Sequence, residues 1–149
     1  MLMCASVVGM EYIICYTDGG ARGNPGPAGA GAVIMNADGK VLLEASEFLG
    51  NGTNNFAEYA AVLLALKTVK KKFGAKTKSM KVEVRLDSEL IQRQLSYIYQ
   101  IKEPSLVPQF MEIHNMRVKD FPNLTFTHVP RAKNKEADRL ANEAMDRKV

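Results

Sequence analysis

The amino-acid sequence predicts an α/β fold in which a partly parallel sheet is flanked by helices. Three strand-like segments come first, and helices and strands then alternate to the end of the chain, giving the order βββ–α–β–α–β–α. The length of 149 residues fits one domain of ordinary size. No repeat, linker or low-complexity block interrupts the pattern. We therefore expect one domain over residues 11–149, preceded by a short extension, residues 1–10, without a recognisable role.

The first third of the chain predicts a three-stranded antiparallel meander. Glu11–Thr17 is an apolar, β-rich run that leads through Asp18 into a loop dense in glycine and proline, Gly19–Pro27. Ala28–Met35 follows as a strand of small residues. A turn with an Asp-Gly pair then leads to Val41–Leu49, the expected hairpin partner.

The remainder predicts helices that alternate with strands. Asn55 is the expected cap of a long helix whose apolar residues recur at steps of three and four, and Gly74 is its expected end. The segment 96–108 contains two prolines and shows no clear period. The other expected elements are a strand at Lys81–Leu86, a short helix at Ser88–Leu95, a helix from about Pro108 to Lys119, a strand at Leu124–Val129 and a last helix capped by Asn134.

Composition and charge exclude some classes of protein. Hydrophobic residues make up 46% of the chain and charged residues 24%, which is unlike a disordered tail. No apolar run approaches the roughly 20 residues that cross a bilayer, so we expect no membrane partner and a cytoplasmic location. The net charge of +4 permits a polyanionic partner without proving one.

Four acidic residues fall at the ends of predicted elements. Asp18 ends the first strand and Asp87 the fourth, while Glu58 and Asp138 lie in the first turns of helices. Ligand crevices of open α/β sheets lie beyond the strand ends, where clustered carboxylates would need a hard divalent cation to offset their repulsion. Each acid could instead serve only as a helix cap or a turn residue. Spacing alone leaves both interpretations open.

Four local motifs resemble those of type 1 ribonuclease H, in its compact bacterial and archaeal form. They occur in the family's order and cover the chain from about Glu11 to Met145. The motifs are YTDGGARGNPGPAGAG at Tyr16–Gly31, TNNFAEY at Thr53–Tyr59, LDSEL at Leu86–Leu90 and HVPRAKNKEADRLAN at His128–Asn142.

The resemblance implies a ribonuclease H-like fold, with a five-stranded mixed sheet whose first three strands are antiparallel. It implies that Asp18, Glu58, Asp87 and Asp138 bind two Mg²⁺ ions, for which Mn²⁺ would substitute. The implied reaction is sequence-independent hydrolysis of the RNA strand of an RNA–DNA hybrid, leaving 5′-phosphate and 3′-hydroxyl ends. No obligate protein partner is expected.

Further site residues are also implied by the resemblance. Arg131 is expected to grip phosphate during catalysis, in preference to His128, which we expect to be packed on its strand. Glu89 stands where many relatives have glutamine, and the chain has no tryptophan for a basic protrusion of the kind some relatives carry. The implied substrate-binding residues are Gly20, Asn24, Asn54, Asn55, Glu89 and Asn134.

Two other functions remain open from the sequence. A catalytically silent domain that only binds hybrids would keep the fold without cutting. An integrase-like or resolvase-like relative would use the same acidic centre on DNA. The four acids together disfavour the first alternative, and the TNN and GNPG segments disfavour the second.

Overall fold

A computed structural model of the chain describes residues 10–149. The predicted extension, residues 1–10, thus lies outside the described part except for Met10. The strands are β1 (Tyr12–Ala21), β2 (Gly26–Asn36), β3 (Val41–Gly52), β4 (Lys81–Leu86) and β5 (Leu124–His128). The helices are α1 (Asn54–Phe73), α2 (Glu89–Leu95), α3 (Val107–Lys119) and α4 (Lys135–Arg147).

The five strands form one mixed sheet in the order β3-β2-β1-β4-β5. β1 is antiparallel to β2 and parallel to β4, β2 is antiparallel to β3, and β4 is parallel to β5. The predicted architecture is therefore confirmed, including the antiparallel first three strands. β1 lies at the centre, between the antiparallel and parallel halves.

The first hairpin is longer than the sequence predicted. β1 pairs with β2 as far as Ala21 and Ala28, so the expected loop Gly19–Pro27 shrinks to residues 22–25. The prediction was wrong because most of these glycines lie in extended strands and not in a turn. β3 likewise runs past Leu49 to Gly52.

Glycine occupies the strands where a helix backbone comes very close. A Cβ on Gly31 would lie 2.3 Å from the Ala137 carbonyl oxygen of α4, and one on Gly19 would lie 2.1 Å from the Ala57 carbonyl oxygen of α1. Only glycine permits this approach of helix to strand. α1 and α4 are thereby fixed against the central strands.

The long helix begins two residues earlier than predicted. Thr53, and not Asn55, is its cap: the Thr53 hydroxyl accepts a hydrogen bond from the Phe56 backbone N–H at 3.1 Å. Gly74 ends the helix as expected, with a φ of 60° that favours glycine. Glu58 consequently lies in the second turn of α1 and not in the first.

The main core lies between the sheet and the helices α1–α3. Its central side chains are fully or almost fully buried and include Ile13, Val84, Leu66, Ile91, Ile113 and Phe126. No helix among residues 10–149 is both long enough and apolar enough to cross a membrane.

A polar network joins β1, β4 and β5 on the sheet face opposite this core. Glu83 accepts hydrogen bonds from Thr127 at 2.6 Å, from Arg85 at 3.2 Å and from the Tyr12 hydroxyl. Burial alone would raise the pKa of Glu83, but these hydrogen bonds lower it to about 2. Arg85 also donates to the Tyr16 hydroxyl at 2.8 Å, so the network fixes the register of the strands that lead to Asp18 and Asp87.

Gly31→Ala should destabilise the protein, because its new methyl group would meet the α4 backbone and force helix and strand apart. We expect a loss of about 2–3 kcal/mol in the free energy of unfolding, measured by urea titration. Gly20→Ala is the matched control, since its Cβ would find its nearest neighbours 3.9 Å away. Equal stability of the two variants would contradict the proposed close packing.

Candidate metal centre

Carboxylates from three elements meet in a cleft at one end of the sheet. Asp18, Glu58 and Asp87 each offer an oxygen atom within 4.8 Å of the others. Asp138 lines the same cleft, whose volume is about 350 Å³. The structure thus brings together all four acids that the sequence singled out.

Asp18 and Asp87 meet because their strands are parallel neighbours. The β1–β4 ladder ends at the pair Thr17 and Leu86, and each aspartate is the next residue in its chain segment. Asp87 does not cap α2, because the Ser88 hydroxyl accepts the hydrogen bond from the Ile91 N–H at 3.2 Å. The helix-cap interpretation of Asp87 is therefore wrong.

Glu58 is oriented by the backbone of the central strand. Its Oε1 accepts a hydrogen bond from the Gly19 N–H at 2.9 Å. The capping interpretation of Glu58 is also wrong, because the residue lies one turn inside α1 and its side chain turns toward β1. The close contact of Gly19 with α1 makes this hydrogen bond possible.

Burial and mutual repulsion shift the proton affinities of these acids. Burial, the charges of Glu58 and Asp87, and a hydrogen bond with Asp138 raise the pKa of Asp18 to about 9. Burial and the charge of Asp87 raise the pKa of Glu58 to about 8, although the Gly19 N–H and the Arg131 charge oppose the shift. The cleft therefore favours bound positive charge.

The donor set suits a hard divalent cation. All the candidate ligands are carboxylate oxygens, the type preferred by Mg²⁺, Mn²⁺ and Ca²⁺, and no histidine or cysteine joins the cluster among the described residues. Burial and mutual repulsion disfavour the ionised carboxylates, and a bound cation would offset both effects. The carboxylates thus fit a metal site, while their geometry leaves the identity of the ion open.

The glycine-rich turn is fastened to the start of α1 by two asparagines. The Asn54 side-chain oxygen accepts from the Ala21 N–H at 2.8 Å, and the Asn24 side-chain oxygen accepts from the Asn54 N–H at 3.0 Å. Asn54 and Gly20 line the cleft, whereas Asn24 does not. Both asparagine carbonyls serve the turn, which leaves their amide N–H groups as donors.

The other predicted substrate-binding residues are dispersed around this cleft. Asn55 lines it and donates to Glu103 at 3.1 Å. Glu89 is exposed and forms an ion pair with Arg93 at 3.3 Å. Asn134 is only 1% exposed and does not line the cleft.

Arg131 and His128 differ in where they lie. Arg131 lines the cleft, and its positive charge acts to lower the pKa of Glu58. His128 is exposed at the end of β5 and is not part of the cleft. The expectation that His128 is packed was wrong, because the buried alternation of Leu124 and Phe126 stops at Phe126.

Sequence reasoning missed part of the cleft wall. Ala141, Asn142 and Met145 of α4 line it beside Asp138. Their spacing of three, four and seven residues from Asp138 places them on one helical face. That periodicity was the available signal, but the same residues also suited a helix face turned to the core.

Comparison with known proteins agrees with the fold and the site. The sequence model of the reverse transcriptase-like family matches residues 16–144. Ribonuclease HI of Halobacterium salinarum is 40% identical over 131 residues, which cover 88% of this chain and 63% of that protein. A bifunctional protein of Mycobacterium tuberculosis is 38% identical over 135 residues, which cover 90% of this chain and 35% of that protein. The chain thus spans less than two thirds of the length of these relatives.

Solved structures extend the likeness. The structure of LC11-RNase H1, isolated from compost, is 52% identical with a TM-score of 0.88, covering 93% of this chain and 98% of that one. LC11-RNase H1 has also been solved in complex with an RNA/DNA hybrid, with a TM-score of 0.87 over 91% of this chain and 97% of that one. The chain belongs to the ribonuclease H1 family.

Asp18→Asn should stabilise the metal-free protein at high pH. Because the folded-state pKa values of Asp18 and Glu58 are raised, their contribution to stability is fully present below about pH 4 and is lost as pH rises toward 8–9. Removing one acid relieves the repulsion, so the free energy of unfolding in EDTA should rise by about 1–2 kcal/mol at pH 8. At pH 4 the two proteins should differ little. Urea titrations at both pH values test this, and a gain that is independent of pH would contradict it.

Proposed function

We propose that the protein is an endonuclease that hydrolyses the RNA strand of RNA–DNA hybrids, with Mg²⁺ as its cofactor and Mn²⁺ as a substitute. The observation that carries the proposal is the convergence of Asp18, Glu58, Asp87 and Asp138 in one cleft beside the glycine-rich turn. The hybrid complex of LC11-RNase H1, a protein of the same family at 52% identity, supports this class of substrate.

The carboxylates would hold two cations and would not attack the substrate themselves. When bound, the cations supply charge relief on the scissile phosphate, activation of the attacking water and stabilisation of the leaving 3′ oxygen. Cleavage would leave a 5′-phosphate and a 3′-hydroxyl. Arg131 adds a permanent positive charge at the cleft wall, where its planar guanidinium suits a phosphate oxygen pair.

Selectivity for RNA would come from groups that face a minor groove. The amide N–H groups of Asn54, the side chain of Asn55, which also donates to Glu103, and the backbone at Gly20 lie beside the carboxylates. Such groups can contact ribose 2′-hydroxyls and phosphates without distinguishing bases, so cutting should be independent of sequence. Because the proposed substrate is nucleic acid inside the cell, we propose a cytoplasmic location, which imaging of a tagged chain would test.

One experiment tests the proposed activity. Labelled RNA–DNA hybrid, RNA duplex and DNA duplex are incubated with the protein in Mg²⁺ and in EDTA. We expect cleavage of the hybrid RNA strand alone, only with Mg²⁺, and its loss in Asp87→Asn, which removes a ligand charge at constant volume. Binding without cleavage would favour a silent hybrid-binding domain, and cleavage of the DNA duplex would favour an integrase-like or resolvase-like enzyme.

Arg131→Ala should lower kcat by ten- to a thousandfold, on the order of 1.4–4 kcal/mol in activation free energy, because a phosphate contact is lost. His128→Ala is the control, and should cost under about tenfold because His128 lies outside the cleft. Both constants come from multiple-turnover assays at saturating Mg²⁺. Reversed losses would show that His128 carries the role assigned to Arg131.

Glu89→Gln should keep or raise activity. As a hypothesis, Glu89 accepts a hydrogen bond from a ribose 2′-hydroxyl next to the scissile phosphate, and its exposed position beside Asp87 permits this contact. A glutamine amide can accept and donate without repelling phosphate. Steady-state kinetics on the hybrid would reveal the change, and a hundredfold fall in kcat would instead identify Glu89 as a metal or water ligand.

A further inference from the structure

The most buried of the predicted site residues is Asn134, immediately before α4. Its side chain is 1% exposed, whereas the cleft wall is formed by other residues. Although it occupies the N-cap position, its side chain makes no capping hydrogen bond to α4. Neither substrate contact nor helix capping therefore accounts for this side chain.

The amide group of Asn134 faces two acceptors of the metal centre. Its Nδ2 donates to the Thr17 carbonyl oxygen at 2.8 Å and to Asp87 Oδ2 at 3.3 Å. Thr17 directly precedes Asp18. Since both partners can only accept, the N–H side of the amide must point toward them, which fixes its orientation.

The backbone of Asn134 extends the connection to the fourth acid. Its carbonyl oxygen accepts from the Asp138 N–H at 3.1 Å, which closes the first turn of α4. One residue thus links β1 at Thr17, the carboxylate that follows β4 and the helix that carries Asp138. No other side chain in the described part of the chain makes hydrogen bonds to both Thr17 and Asp87.

This arrangement leaves a polar atom unsatisfied. Asn134 Oδ1 is buried and has no hydrogen-bond partner among the described residues. A buried polar atom without a partner is unfavourable for folding. The Asn134 amide therefore costs stability at its oxygen atom. Its two hydrogen bonds, to Thr17 and to Asp87, explain its presence better than a contribution to stability does.

We infer that Asn134 is a positioning residue for the metal centre, and that it does not contact the substrate as the sequence implied. The donor on Oδ2 fixes the Asp87 carboxylate so that its other oxygen remains for a cation, as groups behind metal ligands commonly do. The hydrogen bond to the Thr17 carbonyl fixes the backbone at Asp18 relative to the Asp87 carboxylate. The inference rests on the proposed function only in assuming a divalent cation.

The test compares metal affinity with substrate affinity. Mn²⁺ binding to the free protein is measured by calorimetry, without substrate or turnover. Asn134→Ala should weaken Mn²⁺ binding by about 10- to 100-fold, while the KM for hybrid at saturating Mg²⁺ changes less than about threefold. Asn134→Ser keeps one donor and should fall between Asn134→Ala and the wild type.

Ala144→Gly is the matched control. Ala144 is fully buried in α4 and lies outside the cleft, so glycine should lower the melting temperature and leave Mn²⁺ affinity within about twofold. If Asn134→Ala does not fold, Asn134→Ser alone decides the question.

Three results would overturn the inference. A raised KM with unchanged Mn²⁺ affinity would make Asn134 a substrate contact. A lowered melting temperature with unchanged Mn²⁺ affinity, as in the control, would make its role merely structural. Absence of Mn²⁺ binding in the wild type would refute the metal centre itself. Failure of the wild type to cleave hybrid would refute the proposed function, while the Mn²⁺ titration would still decide the role of Asn134.

Discussion

Repulsion among carboxylates is the constraint around which this end of the molecule is built. Asp18 and Glu58 are 9% and 8% exposed, so water screens their charges poorly. Flexible side chains would separate and relieve the repulsion. The fold limits this by placing each acid within a strand or helix or, for Asp87, directly after a strand. The polar network around Glu83 and the glycine contacts of β1 and β2 serve the same end, because they fix strands and helices relative to one another.

The sequence predicted the order of elements, the mixed sheet and the meeting of the four acids. These features follow from hydrophobic periodicity and from where charged residues interrupt it, which are local properties. The errors came where tertiary contacts override local preference. Gly19 and Gly26 had the composition of a turn but lie in strands, Gly19 against α1 and Gly26 against the Arg22 carbonyl. Asn55 resembled a cap although Thr53 fills that position.

The asparagines show the same limit for the site. Asn24, Asn54 and Asn134 are alike in type and lie within family motifs, so the sequence could assign them only one common task. In the structure Asn24 and Asn54 fasten a turn, while Asn134 lies behind the carboxylates. Their roles differ because their side chains differ in burial and in the groups they point toward. Neither property can be obtained from the order of residues.

Lysines concentrate positive charge at the far end of α1, although Lys67 and Lys70 form ion pairs with Glu112 and Asp120. Seven lysines and no acid lie between Lys67 and Lys81, while the rest of the chain carries 13 basic and 16 acidic residues. The helix rises about 1.5 Å per residue, so its end at Phe73 lies about 20 Å from Glu58. On an anionic support such as mica or a cation-exchange bead, the protein should adsorb by its lysine end. The cleft would then face the solution, which makes simple adsorption an orienting method of immobilisation.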